Sequence, residues 1–215
     1  MSLGILRVIG IIVFLYLVWR NLRDDYDNQK LISYSWMALL GFLVVGRLAF
    51  GLIHWGIWNN NFADWISVWS KPGMSYIGGY LGLVLMTWIN CKRNQYKFFA
   101  FLEDVLKPTL VLSWFLLADE YWQSKFDIKV LIYMAMLVVI YFISGFLKKK
   151  YRSFVWYKSG KKGFVLLSVN FLFFLMLTVD LILFKENLVN VILASLISLI
   201  SGIGLFILGD VKKKL

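Results

Sequence analysis

Ile128-Lys129-Val130-Leu131-Ile132-Tyr133-Met134-Ala135-Met136-Leu137-Val138-Val139-Ile140-Tyr141-Phe142-Ile143-Ser144-Gly145-Phe146-Leu147 carries one charge, Lys129, and runs straight into Lys148-Lys149-Lys150. At 1.5 Å per residue, about 20 mostly apolar residues cross a hydrocarbon core roughly 30 Å thick. Backbone N–H and C=O groups in hydrocarbon must be bonded internally, which leaves helices or closed barrels. A continuous apolar run lacks the alternation of a barrel strand, so this stretch reads as a membrane helix. Six further runs resemble it, at about 4–19, 34–57, 75–91, 105–119, 163–184 and 187–209. They use almost the whole chain. Hydrophobic residues make up 60% of it and charged residues 16%, against about 25% charged in soluble domains. The expectation is an all-α, polytopic membrane protein: a single transmembrane domain over residues 1–215 with about seven transmembrane helices. The first run has one basic residue before it ends, Arg7, and no small-residue cleavage site after it. It reads as a retained helix, not a signal peptide.

Charge supplies an orientation. Basic residues crowd alternate loops: Arg20, Arg23 and Lys30; Lys92, Arg93, Lys97 and Lys107; Lys148 to Lys162; and Lys212 to Lys214. The opposite loops hold only Lys71, Lys125, Lys129 and Lys185. The positive-inside rule then places the N-terminus outside and the C-terminus in the cytoplasm. The formal charge of +11 follows from topology and attraction to anionic lipid, so no nucleic-acid partner is required. Cys91 is the sole cysteine, which rules out an intrachain disulfide and a thiolate metal cluster. No metal or nucleotide motif is present, and neither metal nor cofactor is expected.

Between the second and third runs, Phe62, Trp65, Ile66 and Trp69 fall on one face of a helix. This predicts an interfacial amphipathic helix at about 62–69. Gly78 and Gly82 form a G-x-x-x-G, and Ala194, Ser198 and Gly202 a similar small-residue stripe; both are helix-packing signals. Ionisable groups inside the apolar runs raise a functional-site hypothesis by default. Arg47 falls in the middle of the second run, with His54 about 10 Å further along the same face. Asp119 and Glu120 close the fourth, and Asp180 and Asn170 lie in the sixth. All would cluster in the outer half of the membrane. Arg47 needs an acidic partner, Glu120 or Asp180, or a lipid phosphate, which its planar fork suits.

Three motifs carry a resemblance. Gly46-Arg47-Leu48-Ala49-Phe50 resembles G-[AG]-R-[LI]-G-Y, with Phe50 for the tyrosine. Pro72-Gly73-Met74-Ser75-Tyr76-Ile77-Gly78-Gly79 resembles G-G-M-S-F-H-G-G, with Ile77 for the histidine. Asp104 and Pro108 fit the D-x-x-[AV]-P that follows. In this order they resemble the prolipoprotein diacylglyceryl transferases of bacterial inner membranes, and Arg20-Asn21-Leu22-Arg23 resembles that family's basic turn. The resemblance implies transfer of a diacylglyceryl group from phosphatidylglycerol to a lipobox cysteine, without a metal. It also implies a catalytic histidine where Ile77 stands. A G-R-x-G-N-x-x-N-x-E-x-W signature would fall on Val111–Trp122, keeping Glu120 and Trp122 but replacing its arginine by Leu112 and its first asparagine by Phe115. A later R-x-x-x-E pair would fall near Phe173 and Leu177 if Gly163 marks the usual glycine.

These replacements imply reduced or lost catalysis with phospholipid binding retained. The expected headgroup site is Arg47, Tyr76, Gly78, Gly79 and Glu120, with Asp180 as an ion-pair partner. No catalytic residue is assigned; His54, the sole histidine, is the candidate for a relocated base. Expected partners are a phosphatidylglycerol-like phospholipid and either a prolipoprotein signal segment or a membrane-protein partner. The alternatives are an active transferase using His54, a non-catalytic membrane-complex subunit or scaffold, and a channel or transporter. A channel predicts polar lining along a whole path, and the polar groups here favour one half.

Overall fold

The computed structural model describes residues 4–53, 75–123, 127–151, 162–183 and 187–210 of the 215. His54, the expected interfacial helix at 62–69, Pro72–Met74 and most of the basic 148–162 loop lie outside the described residues. The described chain is helical throughout: α1 (Ile5–Leu22), α2 (Asn28–Ile53), α3 (Tyr76–Asn94), α4 (Phe98–Gln123), α5 (Ile128–Lys150), α6 (Phe164–Leu183) and α7 (Leu188–Asp210). Five of these, α1, α2, α5, α6 and α7, are long and apolar enough to cross a membrane.

The surface is inverted relative to a water-soluble protein. Phe142 (70% exposed), Leu183 (72%) and Phe206 (76%) project outward, while Thr87 (0%), Arg47 (4%) and Asp119 (4%) are buried. That distribution fits a hydrocarbon solvent, in which polar side chains turn inward.

Helix ends depart from the apolar runs. The run at 105–119 becomes a helix from Phe98 to Gln123, and the expected basic turn at 92–107 shrinks to residues 95–97. Gln95 makes that reversal in the left-handed region (φ 59°), and its N–H and that of Tyr96 both bond to the Cys91 carbonyl. The added turns of α4 carry Glu103 and Asp104, whose charges are met from elsewhere. Glu103 accepts the Gly163 N–H at 2.6 Å, and Lys148 donates to Asp104 at 2.8 Å. α2 likewise starts six residues before its apolar run, because Asp27 caps it through the N–H groups of Gln29 (2.8 Å) and Lys30 (3.2 Å). Beside these ends Tyr26, Tyr34, Tyr96 and Phe101 form an edge-to-face and stacked ring cluster. Burial first, then the charge of Asp104, pushes the Tyr26 hydroxyl up to about 12.

The tightest helix contact is α2 on α3, followed by α6 on α7 and α1 on α4. The glycines read as packing signals serve the first. A Cβ at Gly82 would sit 2.2 Å from the Gly41 carbonyl oxygen, and one at Gly78 would sit 2.4 Å from the Ala49 Cβ. Tyr34 on α2 and Thr87 on α3 then share a hydroxyl–hydroxyl bond of 2.9 Å in the buried interface.

Candidate functional site

The site is assembled where α1, α3 and α4 meet at the end of the bundle opposite the Tyr26 ring cluster. α3 begins at Ser75, whose hydroxyl caps the Gly78 N–H at 3.1 Å. The Ser75 N–H in turn donates to the Gly46 carbonyl at 3.0 Å, and Gly79 N–H donates to the Ser75 carbonyl at 2.8 Å. These bonds fix the start of α3 level with Arg47, the residue after Gly46. Arg47 is buried there. From the first turn of α3 the Tyr76 hydroxyl donates to the Glu120 carboxylate on α4. The structure therefore joins two members of the expected headgroup site by a direct bond.

One turn along the same end, Arg7 Nε of α1 lies 2.5 Å from Asp119 Oδ2. The Arg7 side chain is 46% exposed and that of Asp119 only 5%. α1 reaches this depth because Gly4 and Gly10 have no side chains. A Cβ at Gly4 would collide with the Asp119 carboxylate, and one at Gly10 would lie 2.5 Å from the Phe115 Cβ. Sequence reasoning gave Arg7 no role here. The available signal was a lone charge inside an apolar run, which calls for a partner. Because Asp119 is buried, Arg7→Leu is expected to strip it of this ion pair and to cost about 3 kcal/mol. Adding Asp119→Leu to that variant is expected to recover most of the loss, as read by thermal unfolding in detergent.

The other named positions take different places. Gly78 and Gly79 face α2, with a Gly79 Cβ 2.7 Å from the Phe42 ring, and their N–H groups are already bonded. Asp180 on α6 accepts the Tyr133 hydroxyl of α5. Ile77, where the resemblance expects the histidine, is 7% exposed in an apolar cluster with Phe174, Leu181 and Ala194. Phe173 and Leu177, where it expects the late arginine and glutamate, pack against that same cluster. Leu112 is 2% exposed in the main core, beside α1.

The described residues thus place two guanidiniums, two carboxylates and a phenol around one end of the bundle, next to an apolar centre. Such a set can bind a polar headgroup through charge-assisted bonds. Ile77, Phe173 and Leu177 have no group able to accept a proton.

Residues 2–117 match the family model for prolipoprotein diacylglyceryl transferase. The chain belongs to the prolipoprotein diacylglyceryl transferase family. That stretch contains Arg47, Ile77, Asp104 and Leu112, and stops short of Glu120, Phe173 and Leu177. Among curated proteins, the chain is similar to the phosphatidylglycerol–prolipoprotein diacylglyceryl transferase of Azotobacter vinelandii. The two are 30% identical over 114 residues, 51% of this chain and 42% of the relative. It is also similar to the transferases so named from Legionella pneumophila, 28% over 115 residues (51% and 44%), and Neisseria gonorrhoeae, 26% over 116 residues (49% and 38%). The match thus spans less than half the length of these relatives.

Proposed function

We propose that this chain is a transferase-type membrane protein in which diacylglyceryl transfer is reduced or lost and phospholipid binding is kept. The observation that carries the reading is the cluster of Ile77, Phe173 and Leu177 against buried Phe174. The positions where the resemblance expects a base and a charged pair fall in one apolar cluster, and all three are apolar. A lipobox thiol with pKa near 8.5 is only slightly ionised at neutral pH and needs a placed base. The leaving phosphate needs fixed donors, and removing one such group costs roughly 3–4 kcal/mol of barrier. Sharing one apolar cluster makes the losses mutually supporting, since a charge restored at one position would be buried among apolar side chains.

Headgroup binding is assigned to Arg47, Tyr76 and Glu120, with Arg7 and Asp119 beside them. Gly78 and Gly79 contribute close approach of α2 and α3 in place of direct contact. A phosphatidylglycerol-like phosphate would engage the arginines, while the Tyr76–Glu120 pair offers bonds to glycerol hydroxyls. A protein with this site and no chemistry would act as a lipid- or lipoprotein-binding subunit of a membrane complex. The test is purified protein with phosphatidylglycerol and a lipobox-cysteine peptide. The expected result is lipid bound and no thioether formed; transfer at a rate near that of an intact relative overturns the reading.

The same proposal sets the protein in the bacterial inner membrane, with the N-terminus outside, the C-terminus in the cytoplasm and about seven spans. It follows from the alternation of basic loops. In a Cys91→Ser background, a cysteine introduced at Lys158 is expected to react with an impermeant reagent only after the membrane is opened. Labelling of intact cells at that position reverses the orientation.

A further inference from the structure

Midway along the bundle, a groove of about 320 Å³ runs between α4 and α5, with Lys107 towards its basic side. Its walls include Leu110, Trp114, Leu137, Val138, Tyr141 and Phe142, and it presents no polar lining. Val138, Tyr141 and Phe142 are 42%, 38% and 70% exposed, so the groove opens onto the hydrocarbon side. Its floor on α4 follows helical spacing, 107, 110, 111 and 114, so Lys107 stands at one end of the same stripe. Lys107 Nζ lies 5.5 Å from the centre of the Tyr141 ring, within cation–π range. Opposite it on α5 is Gly145, and a Cβ there would come no closer than 3.5 Å to that nitrogen, its single near neighbour. The glycine leaves a gap beside the ammonium. Lys148 is bonded to Asp104, whereas among the described residues Lys107 is bridged to no carboxylate. Lys149 and Lys150 continue the positive charge in the last turn of α5.

We propose that this groove binds one acyl chain of an anionic phospholipid from the leaflet on the basic side, with the phosphate held by Lys107 in the gap beside Gly145. Charge decides the occupant. A neutral helix of a partner would fill the apolar walls but would leave the ammonium unpaired, whereas an anionic lipid meets both. Basic pockets between transmembrane helices recognise acidic headgroups by this combination. The site is independent of the transferase reading, because it shares no residue with the Arg47–Glu120 end.

The test uses the full chain in phosphatidylcholine vesicles containing a trace of phosphatidylglycerol with a photoactivatable acyl chain. Crosslinked peptides are mapped by mass spectrometry. Besides any labelling at the Arg47–Glu120 end, a separate set of crosslinks is expected at residues 110–114 and 137–142, displaced by unlabelled phosphatidylglycerol but not by added phosphatidylcholine. Lys107→Gln is expected to reduce it about fivefold, the factor for one basic residue near an anionic headgroup. Val138→Trp, which fills the groove from an exposed position, should abolish it, and Lys92→Gln, at the basic end of α3, should leave it unchanged. Labelling spread evenly over all helices, equal displacement by phosphatidylcholine, or insensitivity to Lys107→Gln overturns the proposal. Crosslinking of these residues to a second copy of the chain does so as well.

Discussion

Ile77→His is expected to destabilise the protein by about 3 kcal/mol and to restore no transferase activity. The side chain replaced is 7% exposed among Phe174, Leu181 and Ala194, with Tyr80, Phe173 and Leu177 around it. Substitution removes apolar contact, worth roughly 1.5–3 kcal/mol for a fully buried side chain, and buries ring nitrogens among side chains that, Tyr80 aside, are apolar, at about 1–3 kcal/mol. A protonated imidazole would fare worse, because the residues of this cluster carry no carboxylate. The measurement is the unfolding midpoint in detergent beside the lipobox-peptide assay. An Ile77→His protein as stable as the parent, with transfer restored, would show that the site had stayed poised for chemistry.

Gly82→Leu is expected to be more damaging still, separating α2 from α3. Its Cβ alone would lie 2.2 Å from the Gly41 carbonyl oxygen and 2.8 Å from the Val45 Cβ. A backbone oxygen cannot swing aside as a flexible side chain can, so the helices must part and the Tyr34–Thr87 bond at 2.9 Å must break. Overpacking of this kind costs about 1–3 kcal/mol and occasionally more, and the lost buried bond adds about 1 kcal/mol. Loss of the folded, monodisperse species on size exclusion is the expected result. Gly145→Ala provides the contrast: its Cβ meets only Lys107 Nζ at 3.5 Å, and its melting temperature should not fall.

The helices were legible because apolar length is a strong signal; their ends were not. α4 starts seven residues before its apolar run because Glu103 and Asp104 find partners 60 and 44 residues away, which no local pattern reveals. The small-residue reading of Gly78 and Gly82 held, since close approach is a property of the glycine itself. Arg47 and Glu120 were legible as polar groups in apolar surroundings and Tyr76 through the motif at 72–79, but the Tyr76–Glu120 bond spans 44 residues and came only from the fold. Asp180 was expected as a partner for Arg47; its Tyr133 bond was unforeseen because a tyrosine in an apolar run reads as packing. Arg7 was missed for a similar reason, its charge being read as an n-region feature and not as the complement of Asp119. That Ile77, Phe173 and Leu177 share one apolar cluster depends on how α3 and α6 are brought together, and no periodicity within one helix encodes that.

The central claim is that the family scaffold persists here around an apolar centre. Its most direct test is complementation of a bacterial strain depleted of its own phosphatidylglycerol–prolipoprotein diacylglyceryl transferase. The account predicts normal membrane expression of this protein, unmodified prolipoprotein on gels and no growth. Robust rescue that disappears in His54→Ala would contradict it, and would mean that the base had moved to His54.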